Sequence, residues 1–95
     1  MNIYLPYYSE VEYKQLLTIA RDKDTMYRMH GEWLEEVMRL KVYMESQNYV
    51  CRFITIEVEK MVKYFKENNL ENVGASRSIY VQVLGENLHG EEEKE

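Results

Sequence analysis

The chain opens on a short alternating run, "NIYL" at 2–5, that meets Pro6, the single proline, which should end it. Ser9 followed three residues later by Glu12, in "SEVE", is a capping-box pair. Tyr13, Leu16, Leu17 and Ala20 then recur at helical spacing, which predicts a first helix over residues 10–22. "RDKDT" is a polar break. Beyond it Met26, His30, Trp33, Val37, Leu40 and Met44 step by four and three, a heptad-like stripe that predicts a second, longer helix over 25–47. Gly31 weakens that helix by about 1 kcal/mol against alanine. One bent helix over 10–47 fits the same pattern.

"SQN" closes the stripe, and the period changes. "YVCRFITIEVE" is β-branched or aromatic at nearly every place, which predicts a strand over 49–57. Both of its faces are partly apolar, so it should be covered on both sides. "EKMVKYFKENN" returns to helical spacing, with Met61, Val62 and Phe65 inward and Lys60, Lys63 and Lys66 toward water. Asn68 or Asn69 suits a left-handed C-cap, with Leu70 as its apolar follower. After the loop "ENVGA", Ser76 is placed to cap a last helix over 76–88 whose buried edge should be Ile79, Tyr80, Val83 and Leu84.

The expected fold class is therefore α+β and mostly helical, in the order helix-helix-strand-helix-helix. A lone strand leaves a ladder of backbone groups unpaired. Its partner is either the N-terminal "NIYL" or the same strand of a second copy; the second option, pairing across a homodimer, is favoured. Residues 1–89 should form a single small domain and residues 90–95 a disordered acidic tail.

Composition narrows the picture. At 95 residues, 45% hydrophobic and 31% charged, the chain suits one folded domain of a size often helped by oligomerisation. Nine tyrosines and six methionines favour half-buried and interface positions. The net charge is −5, and three of those charges belong to "HGEEEKE" at the C-terminus, so the rest is nearly neutral and offers no broad attraction to nucleic acid or anionic lipid. Cys51, the single cysteine, excludes an internal disulfide and suits a reducing, cytoplasmic setting. No signal peptide is visible, and no stretch approaches the roughly 20 apolar residues of a membrane helix.

"RFITIEVEKMVKYFKENNLENVGASRSIYVQVL" resembles the ribbon-helix-helix family over residues 49–88: "ITI" at 54–56 stands for the strand and "SRS" at 76–78 for the cap of the second helix. The resemblance implies an antiparallel ribbon shared by two chains and, as an alternative function, a DNA-binding transcription regulator or antitoxin. The outward strand positions depart from that pattern. They are Phe53, which has no hydrogen bond to offer a base, Thr55, and Glu57, which phosphates repel.

Other chemistry is sparse. The amides at Ser76, Arg77 and Ser78 suit an anion or phosphate at a helix start, which gives a further alternative: a protein that binds a small anionic ligand there. His30 lies on the apolar stripe and His89 at the edge of the tail. Glu32, Glu35 and Glu36 read as a solvated face. Cys51 has no partner for a catalytic dyad, "NVGAS" lacks the Gly-Lys-Ser/Thr of a phosphate loop, and no zinc spacing occurs. No catalytic residue, metal or cofactor is expected. The favoured function is a small non-enzymatic regulator acting by protein–protein contact, of the phage or mobile-element accessory or inhibitor type. It should work as a homodimer or higher oligomer with a further protein partner, and Tyr27, Trp33, Phe53 and Tyr49 are the interface candidates.

Overall fold

The computed structural model describes the fold of residues 2–93 and the side chains through residue 89. The disordered acidic tail expected at 90–95 lies outside the described residues as regards its side chains, and residues 94 and 95 do so altogether. The elements run β1 (Asn2–Tyr7), α1 (Glu10–Ile19), a single 3-10 turn (Lys23–Thr25), α2 (His30–Ser46), β2 (Val50–Thr55), α3 (Val58–Glu67) and α4 (Gly74–Glu93). The architecture is a mostly helical α+β fold with one two-stranded sheet.

That sheet corrects the ribbon-helix-helix resemblance. β2 pairs with β1 of the same chain, and the pairing is parallel, in register from Asn2 opposite Val50 to Tyr7 opposite Thr55. The resemblance implied an antiparallel ribbon between two chains. A parallel pair needs a crossover of a dozen or more residues, and α1 with α2 supplies it. The strand partner is thus the N-terminal run, and the favoured pairing across a homodimer is not what satisfies β2.

Pro6 does not end β1. The amide of Ile56 donates to the Tyr7 carbonyl at 2.9 Å, so odd-numbered residues of β1 present their backbone groups to β2. Pro6 faces the other way and lacks only an outward N–H, which an edge strand tolerates. On that outer edge the Gln82 side-chain amide donates to the Tyr4 carbonyl at 2.9 Å, so α4 covers the edge.

Local signals set most helix ends. The amide of Glu12 donates to Ser9 Oγ at 3.2 Å, as the capping box predicts. α1 stops at Ile19, three residues early, because Ala20 is extended and the Arg21 amide is drawn to the Asn72 carbonyl at 2.9 Å. α2 starts at His30, five residues late, because Met29 is extended and leaves Met26 and Tyr27 in the connection. Asn48 and Asn69 both take positive φ, at 71° and 53°. In each turn the following amide reaches back to a carbonyl of the last helical turn, Tyr49 to Met44 and Leu70 to Phe65.

Ser76 is not the cap of the last helix. α4 begins two residues before it, and Ser76 is buried inside the first turn. The buried edge of α4 also differs from the expected one. Tyr80 and Val81 are buried while Ile79 and Val83 are exposed. Close packing at Gly85 fixes this rotation: its Cα lies against the Tyr4 ring, where a Cβ would meet Cγ at 2.3 Å. The core joins Tyr4, Tyr8, Tyr13 and Leu16 to Ile54, Ile56, Met61 and Phe65, with Tyr80 and Val81 closing it from α4. No described helix is long and apolar enough to cross a membrane.

Candidate functional site

A cavity of about 400 Å³ lies against β1 with walls from α2 and α4. α1 supplies Tyr13 and Leu16, one helical turn apart and both buried. The α2 wall is Trp33, Val37 and Leu40, the part of the apolar stripe that survives in the helix. The α4 wall is Arg77, Ser78, Val81 and Gln82. Tyr27 and Leu40 line the cavity and are also exposed, so they mark its mouth.

The interior is strongly aromatic. The Trp33 indole stacks on Tyr13 with ring centroids 5.3 Å apart and meets the Tyr8 ring edge-on at 5.4 Å. His30 Nε2 lies 2.7 Å from the Tyr8 carbonyl, and a carbonyl only accepts, so this nitrogen carries the proton. Tyr13 donates its hydroxyl to the Tyr27 carbonyl at 2.5 Å, which ties α1 to the connection before α2. Burial pushes the Tyr8 hydroxyl up to about 12 and raises that of Tyr13, so both remain neutral donors at ordinary pH.

One charged pair stands beside the cavity. Arg77 Nη2 donates to Asp22 Oδ2 at 2.7 Å, and the Gly74 amide donates to the same oxygen at 3.0 Å. Arg77 Nη1 donates to Asn72 Oδ1 at 3.0 Å. The hydrogen bond from Arg77 is the main reason the Asp22 carboxyl is held below its ordinary value. Asp22 therefore occupies the position that an external anion would take at the start of α4.

The predicted anion contacts are accordingly separated in role. Ser76 is buried, Arg77 is bound to Asp22, and Ser78 is exposed on the cavity wall. Of the interface candidates, Tyr27 and Trp33 come together on the cavity. Phe53, opposite Leu5 in the sheet, and Tyr49, just before β2, are half-buried and do not line it. Sequence reasoning missed Asp22 as a partner of Arg77. Its one signal was a polar break containing Asp22 and Asp24, which points to a cap for the next helix and not for one 52 residues on.

Cys51 Sγ donates to the Lys41 carbonyl at 3.9 Å, and burial pushes its thiol up, away from the thiolate. Among the described residues no three His, Cys, Asp or Glu side chains gather as metal ligands would. A second, wider depression between α1 and α3 mixes Lys60, Lys63 and Lys66 with Glu12, Glu57 and Glu59, so it presents no single sign of charge. No family model, curated protein or solved structure matches the chain.

Proposed function

We propose that the chain is a small non-enzymatic regulator that acts by contact with another protein, through the outward side of α2. The carrying observation is the apolar face there: Met38, Val42 and Tyr43 are 44%, 67% and 61% exposed. Met38 and Val42 are one turn apart, and half-buried Leu34 extends their line. Single exposed apolar residues are ordinary, but a run along one helix offers a packing face for a second helix.

Arg39 is paired with Glu35 and Glu36, and Lys41 with Glu45, all within α2. With Glu32 they leave α2 a net charge of −2, four glutamates against two cations, which the apolar contact has to outweigh. The first partner is a second copy, whose own α2 offers the same apolar line, and a heterologous helix of like chemistry docks in the same way.

Light scattering tests it. The chain should give at least twice 11.5 kDa, and Met38→Glu with Val42→Glu should return it to the monomer mass with its far-ultraviolet circular dichroism unchanged. A monomeric parent chain removes self-association. Photo-crosslinking from position 42 in the source cell, with position 63 on α3 as control, then decides the protein partner, and absence of a specific adduct ends the proposal.

A further inference from the structure

We infer that the cavity between α2 and α4 is a binding site for a small, uncharged aromatic molecule of one or two rings bearing a single hydrogen-bonding substituent. Its size, its lining and the state of its polar groups each support this.

The volume, about 400 Å³, falls at the lower end of the roughly 300–1,000 Å³ typical of ligand pockets. Protein interiors close to crystal-like density, and a chain of 95 residues has little core to spare. Half-buried Met26 and Trp33 and exposed Leu40 keep apolar surface open toward this space. A ring system set against the half-buried Trp33 indole covers that surface.

The polar groups decide the charge. Arg77 donates to Asp22 and Asn72, Gln82 to the Tyr4 carbonyl, and Tyr13 to the Tyr27 carbonyl. The Asp22–Arg77 pair carries no net charge. Among the described residues Arg77, the one cation on the lining, is already neutralised by the Asp22 carboxylate at 2.7 Å, and no carboxylate lines the cavity to receive a cation. Buried charge without a partner is costly, so a neutral ligand is selected. Ser78 and Tyr27 stand at the exposed rim, and their hydroxyls are placed to meet one polar substituent. This surface is the inner side of α2, whereas the proposed protein contact uses the outer side, so either can fail without the other.

The experiment uses the full chain and two probes, indole and indole-3-acetate, which share a ring system and differ in charge. Thermal shift is read together with NMR of the Val37 and Val81 methyls. Indole at millimolar concentration should raise the melting temperature by a few degrees and move both methyl signals, with indole-3-acetate at least tenfold weaker. Ser78→Trp, an exposed change at the rim, should abolish the indole response while the unliganded melting temperature stays within a degree or two. Val37→Phe, which fills the cavity from α2, should do the same if it folds. No response to indole overturns the inference. So does tighter binding of indole-3-acetate, which would make Arg77 an anion site, and so does full indole binding by Ser78→Trp.

Discussion

Asp22 starts a helix that lies more than fifty residues away from it, and it does so through Arg77. Its Oδ2 accepts from Arg77 at 2.7 Å and from the Gly74 amide at 3.0 Å, so one oxygen meets both a guanidinium and a free N–H of the first turn of α4. The two side chains are 26% and 12% exposed, which makes the pair largely dry. Asp22→Ala should destabilise by about 2–4 kcal/mol, since it strands a buried guanidinium and removes a cap. Asp22→Asn keeps an acceptor for Gly74 and should cost about half as much. Urea denaturation of the two variants checks the order, and equal losses would mean that the cap carries nothing.

The same pair makes stability depend on acid. The folded carboxyl is held below its ordinary value of 3.8, chiefly by the hydrogen bond from Arg77. Its contribution is therefore complete above the unfolded value and fades as pH falls below about 4 through the depressed folded value. The stability gap between the parent chain and Asp22→Asn should be full at pH 7 and visibly smaller at pH 3. A gap that stays constant over that range would assign the effect to shape and not to charge.

The elements that were legible in the sequence are those whose signals are local. Ser9 and Glu12 announce α1, and Asn69 with Leu70 closes α3 by the motif expected. The stripe through Trp33, Val37 and Leu40 is one side of α2, as its spacing predicts, whereas Arg77 and Ser78, expected at an anion, and Tyr27 and Trp33, expected at an interface, all line one cavity. What stayed hidden is non-local. Ser76 has the right chemistry for a cap, but Asp22 takes that role from a distant connection and lets the helix begin earlier. "NIYL" is one of the two partners the sequence offers β2, but β1 is six residues with a proline in it, and nothing within it chooses that option over a second copy or makes the pairing parallel. The ribbon-helix-helix resemblance rested on a strand, a helix and a Ser-Arg-Ser step, all local, and failed on the one long-range feature that defines the fold.

Tyr8 should govern the alkaline side. Burial pushes its hydroxyl up to about 12 from 10.0, so the folded state favours the protonated form. Stability from this group is whole below the unfolded value near 10 and is lost as pH climbs through about 12, an effect on the order of 2–3 kcal/mol. Tyr13 and Tyr80, also raised by burial, act in the same direction. Tyr8→Phe gives up the contact of its hydroxyl with Met61 Sδ, 3.8 Å away, and should flatten the fall in melting temperature between pH 9 and 11. An unchanged slope would place the alkaline sensitivity elsewhere.

Trp33 is half-buried, stacked on Tyr13 and set against Tyr8 and His30. Truncating a fully buried tryptophan costs about 3–5 kcal/mol, and partial exposure should bring Trp33→Ala to the lower end of that range. Trp33→Phe should recover about half. Near-ultraviolet circular dichroism gives an independent reading, because the single indole is held between tyrosine rings. A weak signal in the intact chain, or stability unmoved by Trp33→Ala, would detach α2 from the aromatic cluster.

Two glycines in helices should respond to alanine with opposite signs. Alanine in a helix interior is favoured over glycine by about 1 kcal/mol when nothing opposes it. At Gly31, in the first turn of α2, a Cβ meets nothing within 4 Å, so Gly31→Ala should stabilise by up to that amount. At Gly85 the added carbon would come to 2.3 Å from Tyr4 Cγ and 2.6 Å from both Cδ atoms. Cγ is the root of the ring, so rotation about the ring axis brings no relief, and Tyr4 or the whole of α4 must shift. Overpacking of this kind costs about 1–3 kcal/mol, enough to reverse the helix preference. Thermal melts of the two variants give the comparison directly. If Gly85→Ala were as stabilising as Gly31→Ala, α4 could not lie as close to β1 as it does, and the rotation that turns Val81 inward and Ile79 outward would need another cause.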